Sequence, residues 1–189
     1  MTGLWSLTRR NVKLFFKDKG MFISSLITPI VLLVLYATFL ANVYRDSFAS
    51  AVAGMNIDVT IIDGTVGAQL ISSLLAVCCV TVAFCSNLLM IQDKTSGARA
   101  DITVSPVKKS TLAISYFLAS AFATLIIGFA ALGAGLLYLL KMGWYMSFSD
   151  VLLMALDVFL LTLFGTALSS CVNFPLSTNG QASAVGTIV

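Results

Sequence analysis

The stretch Asp93-Lys94-Thr95-Ser96-Gly97-Ala98-Arg99-Ala100-Asp101-Ile102-Thr103-Val104-Ser105-Pro106-Val107-Lys108-Lys109 carries six charged side chains between two long apolar runs. A second block of six, Arg9, Arg10, Lys13, Lys17, Asp18 and Lys19, precedes the first apolar run. Together the two blocks hold nine of the eleven basic residues in the 189-residue chain. Only 10% of the chain is charged, 59% is hydrophobic and the mean hydropathy is +1.00. Soluble domains carry about 25% charged residues. Charge is costly in hydrocarbon, so apolar stretches of about 20 residues between basic blocks specify membrane-spanning helices.

Working outward from the connector, the fold class is all-α: a polytopic helical bundle in the lipid bilayer. The chain reads as a single transmembrane domain, 1–189, without a soluble domain. Spans are expected at about 21–43, 66–91, 111–140 and 150–171. Pro29 predicts a kink in the first. Ile57–Ile62 followed by Asp63-Gly64 reads as a short strand and turn. Ala131 and Gly135 give a small-xxx-small spacing that permits close helix approach. Residues 177–189 begin a fifth helix too short to span, so the chain reads as C-terminally incomplete.

Residues 3–19 predict an amphipathic interfacial helix. Leu4, Trp5, Leu7, Val12, Leu14, Phe15 and Phe16 share one arc, and Arg9, Arg10, Lys13 and Lys17 the opposite one. Thr8 and Asn11 intrude on the apolar side. Such a helix rests its aromatics in the acyl boundary and its cations on lipid phosphates. A solvated basic extension is the alternative. Lys and Arg number nine in the N-terminal segment and the 92–110 connector, against two in the 44–66 and 141–149 loops. The positive-inside rule then puts the N-terminus in the cytoplasm.

Several chemistries are excluded. The chain has no histidine, hence no imidazole metal ligand or His-activated nucleophile. It has no G-x-x-x-x-G-K-[ST] phosphate loop, so it is not read as an enzyme that hydrolyses ATP itself. Cys78, Cys79, Cys85 and Cys171 lie in or beside apolar runs without a C-x-x-C spacing and read as small apolar filler. No cofactor or metal is expected in this chain. The basic residues flank membrane segments and carry no nucleic-acid motif.

Among the polar residues within the spans, Asn87 and Asp157 stand out. Asn87 reads as a helix-packing residue, with a pathway role as the alternative. Asp157 either lines a route for a cationic substrate or serves a structural or hydrated role. The connector's mixed charge suits a protein partner better than anionic lipid. Proline restricts the preceding residue, so a short helix should end at Ser105-Pro106. The alternative is an ordinary positive-inside loop.

Two stretches carry a likeness. One is Arg10-Asn11-Val12-Lys13-Leu14-Phe15-Phe16-Lys17-Asp18, leading into a span with the early Pro29. The other runs from the end of the second span through Gly97 to Ser105-Pro106-Val107 and Lys108-Lys109. With these, the chain resembles the membrane subunit of ABC-2 type transporters, the permeases of many bacterial exporters. The resemblance implies that residues 3–19 are a connecting helix. It also implies a coupling helix in the connector that docks on an ATP-binding subunit, with Lys94, Arg99, Asp101, Ser105 and Pro106 at or near the contact. ATP and Mg would bind in that partner. A second permease subunit would complete a homo- or heterodimer in the bacterial cytoplasmic membrane. The family has six spans, with short re-entrant helices after the fifth. Asp93-Lys94 stands where many members carry Glu-Arg, and Ala98 and Ala100 where larger apolar residues are usual. The function implied is drug or antibiotic export. The alternatives are a non-transport sensor or assembly subunit, or a permease for lipid-linked glycan or ions.

Overall fold

In hydrocarbon a backbone must satisfy its own N–H and C=O groups, and a helix does so within one segment. The computed structural model describes residues 2–51, 59–104, 107–142 and 147–176, together with 178, 180, 181 and 184; most of these are helical, with no strand among them. Helix α1 (Thr2–Lys17) ends at Asp18, whose extended backbone breaks the run. The Asp18 carboxylate accepts from the backbone N–H of Gly20 and Met21, capping α2 (Lys19–Leu35). A π-helical turn, Tyr36–Leu40, continues into α3 (Ala41–Ala51). Then follow α4 (Val59–Thr95), the short α5 (Ala98–Val104), α6 (Lys109–Met142) and α7 (Phe148–Asn173).

Four stretches are long and apolar enough to cross a membrane: Lys19–Ala51, Ile62–Thr95, Lys109–Leu140 and Phe148–Asn173. One expectation is corrected. Residues 59–62 form the first turn of α4, not a strand, and Asp63-Gly64 is helical. A lone strand there would leave its hydrogen-bonding edges unpaired, which overrides the β-branched propensity of Val59-Thr60-Ile61-Ile62. Residues 57 and 58 lie outside the described residues, as does most of the expected fifth helix. The regular hydrogen-bond pattern is interrupted at Tyr36–Leu40, while Pro29 sits buried inside an unbroken α2. Helix α4 continues to Thr95, and Ser96 and Gly97 separate it from α5.

Helix α4 is the centre of the bundle. Two thirds (67%) of its apolar window is buried, against 12% for the first span and 22% for α7. Helices α6 and α7 pack along it, and α1 lies against α6. Ile71, Leu75 and Cys79 of α4 interlock with Leu132 and Leu139 of α6 and Val158 of α7. Phe15 of α1 enters a second cluster with Cys78, Val82, Ala123 and Ile127. Cys78 and Cys79 are thus packing residues. With apolar lipid outside, such association depends on close contact, and small residues permit it. A Cβ on Gly135 would meet Ile71 at 3.1 Å, and one on Gly165 would lie 3.3 Å from the α4 backbone at Cys79 and Val80.

Candidate functional site

The last turn of α4 gathers its neighbours residue by residue. Gln92 donates to Asp18 Oδ2 at 3.3 Å, reaching the α1–α2 joint. Asp93 accepts from Arg10 Nη1 of α1 at 2.9 Å and from Tyr116 Oη of α6 at 2.6 Å. Lys94 donates through Nζ to the carbonyls of Phe174 and Leu176, both at 2.8 Å, and lies 5.8 Å from the Phe174 ring centroid. It thereby caps the C-terminal end of α7, where free carbonyls and the helix dipole favour a cation. Three successive residues hold five elements at one point.

Asp93 is 5% exposed, and a carboxylate that buried needs a cation and donors. Arg10 and Tyr116 supply both. Arg10 also donates to Asn11 Oδ1 at 2.9 Å, and Asn11 Nδ2 reaches Ser115 of α6 at 3.4 Å. The hydrogen bond to Asp93 raises the Arg10 pKa above its ordinary value, outweighing the opposing effect of burial. One turn of chain beyond, Gly97 takes φ +79°, a conformation open to glycine, and turns the backbone into α5. Ile102 of α5 packs on the cluster of Met90, Leu112 and Tyr116, with Leu7 of α1 alongside. Ile102 thus places α5 against α1, α4 and α6.

Higher along α4, Ser86 hydrogen bonds Ser120 of α6 at 2.5 Å. Asn87, buried, donates to both Ser169 and Ser170 of α7. These bonds tie α4 to α7.

The anticipated coupling residues are distributed. Lys94 faces the end of α7. Arg99 sits half-buried on α5, and Asp101 lies in the same helix. The helix ends at Val104, whose side chain is 88% exposed. Ser105 and Pro106 lie outside the described residues.

Helix α1 corrects the lipid-facing assignment of part of its surface. Trp5 is 66% exposed, and Arg9, Lys13 and Lys17 are exposed, with Phe16 half-buried. Phe15 is buried in protein, with its ring 5.3 Å from Phe16 and 6.5 Å from Phe22. Thr8 and Asn11 share the buried stripe, and Arg10 is committed to Asp93. Of the polar residues that intruded on the apolar arc, Asn11 reaches α6 and Thr8 is buried with it. They were the available signal for this contact. Tyr116 and Ser115 had none, because hydroxyls near a span end are ordinary.

Asp157 is exposed on α7 beside Leu153, Leu156, Leu160 and Phe164, which are exposed as well. It makes no hydrogen bond or ion pair among the described residues. Helices α4 and α7 run in parallel register: Cys79 meets Thr162, and Asn87 meets Ser169 and Ser170. That register puts Asp157 level with Leu74 and Leu75, near the middle of α4.

A family profile described as ABC-2 type transporter matches residues 2–189. No curated protein and no solved structure matches the chain. The family's membrane component lacks the ATPase motifs and works with an ATP-binding subunit. With its matched length and four apolar helices of spanning length, the chain belongs to the ABC-2 type transporter family as an integral membrane subunit.

Proposed function

We propose that this chain is the permease subunit of an ATP-driven exporter of the drug or antibiotic type, in the bacterial cytoplasmic membrane with its N-terminus in the cytoplasm. The observation that carries this reading is the junction at Gln92-Asp93-Lys94. A short helix, α5, leaves the bundle there, beside a point where α1, α4, α6 and the end of α7 are bonded together. In this reading α5 docks on the ATP-binding partner through Arg99 and Asp101. Closure of the partner presses on α5, and the bonded junction moves the spans as a unit. A second permease copy, identical or related, completes the route.

The basic side chains support the orientation. Nine of eleven lie at the end of the bundle that bears Asp93. Coexpression with a candidate ATP-binding subunit tests the function. The expected outcome is ATP hydrolysis that needs both proteins and rises with exported substrate. Complex formation without substrate-dependent hydrolysis would favour a non-transport sensor or assembly role.

A further inference from the structure

The opposite end of the α4–α6 pair repeats the chemistry of the Asp93 cluster in a different state. There Arg45 of α3 pairs with Asp63 of α4, Nε to Oδ1 at 2.9 Å and Nη2 to Oδ2 at 3.0 Å. Tyr138 of α6 brings a hydroxyl that is buried and has no hydrogen-bond partner among the described residues. Between them lies a cavity of about 40 Å³ lined by Asn42, Arg45, Asp63, Gly67 and Tyr138, among others. Gly67 lets α6 approach: a Cβ there would come within 2.6 Å of Leu139 Cδ2.

The two ends match residue for residue in type. Each presents an aspartate of α4, a tyrosine of α6 and an arginine from the chain's first helices. Asp63 and Asp93 are about 45 Å apart along α4, and Tyr116 and Tyr138 about 33 Å apart along α6, at 1.5 Å per residue. At one end the tyrosine bonds the aspartate directly. At the other, Tyr138 lines a cavity of mixed polar and apolar lining with room for one ordered water, where Asn42, Arg45 and Asp63 supply further polar groups.

A second cavity of about 20 Å³ borders Tyr138 beside Tyr36, Leu70, Ile71 and Gly135. Tyr36 opens the π-helical turn, a local irregularity of the kind found where helices change register. Tyr138 thus has free volume on two sides.

We propose that Arg45, Asp63 and Tyr138 form a second clasp, bridged by water, that holds α3, α4 and α6 together and gates the permease on the side opposite the Asp93 junction. Its gating role rests on the exporter reading; the clasp itself does not.

The test uses the permease with its ATP-binding partner in lipid nanodiscs. The four native cysteines are replaced and Ala41→Cys introduced at a buried position lining the cavity, so that the maleimide labelling rate reports its opening. Tyr138→Phe and Asp63→Asn should each speed labelling about twofold to tenfold, the range one net hydrogen bond allows. The double variant should be no faster than the faster single one, because both break one bridge. Additive effects, or no effect of Tyr138→Phe, overturn the clasp. Arg45→Gln provides a second route if Asp63→Asn does not fold. Trapping the complex with ATP and vanadate should change the labelling rate in the parent and leave it unchanged in Tyr138→Phe. A rate indifferent to trapping, in a complex with substrate-stimulated ATPase activity, overturns the gate alone. Absence of partner-dependent hydrolysis overturns the exporter reading, and the labelling of the single and double variants still decides the clasp.

Discussion

Arg10 donates to Asp93 at 2.9 Å across 83 positions of sequence, fastening the chain's two charge blocks to each other. The N-terminal block therefore has two duties. Arg9, Lys13 and Lys17 remain exposed, while Arg10 neutralises a carboxylate at the end of α4. This bond, with that of Tyr116, makes α1, α4 and α6 one mechanical unit where α5 departs.

Removing one member of this cluster should cost stability in a definite order. Breaking a buried ion pair costs about 3–5 kcal/mol. Arg10 is 35% exposed, so we expect roughly 2–3 kcal/mol for Arg10→Ala after allowance for solvent. Tyr116→Phe removes one neutral donor and should cost about 1–2 kcal/mol. Unfolding of the purified protein in detergent measures both. Equal losses would mean that the pair contributes no more than the hydroxyl.

Lys94 and Arg99 should separate cleanly. Lys94→Glu places a carboxylate against the Phe174 and Leu176 carbonyls, and should loosen the end of α7 by about 1–3 kcal/mol, seen as faster proteolysis after Asn173. Arg99→Glu should leave stability within about 0.5 kcal/mol and weaken copurification with the ATP-binding partner. Copurification unchanged by Arg99→Glu would count against docking through α5.

Helix approach gives a steric prediction. Gly165 lies against α4 backbone, which cannot step aside, whereas Gly133 has open space around its Cβ position. Gly165→Val should destabilise by about 1–3 kcal/mol, and Gly133→Ala should be neutral or favourable by up to about 1 kcal/mol. Thermal unfolding of the two variants side by side checks this, and similar shifts would contradict the close α4–α7 contact.

Asp157→Asn isolates the charge at mid-depth. An ionised carboxylate there costs on the order of 2.5–3.5 kcal/mol. If the route explains its retention, the variant should insert normally, match or exceed the parent's stability, and lose at least about half of substrate-stimulated ATPase activity. Lower folding yield with unchanged activity would assign Asp157 a structural role.

The helical class, the four apolar stretches and the polar ends were legible in the residues alone, because excluding charge from hydrocarbon acts residue by residue and needs no tertiary information. The connector was marked too, through its mixed charge and Ser105-Pro106. Part of the α1 contact was visible as Thr8 and Asn11 interrupting an apolar arc. Which charges meet emerged from the packed bundle. Arg10 and Asp93, Lys94 and the end of α7, and Arg45 and Asp63 are joined by helix register and close packing across 18 to 83 positions. No local pattern records those distances. Lys94 shows the difference: its position at a span end was legible, but its carbonyl partners depended on where α7 stops beside α4.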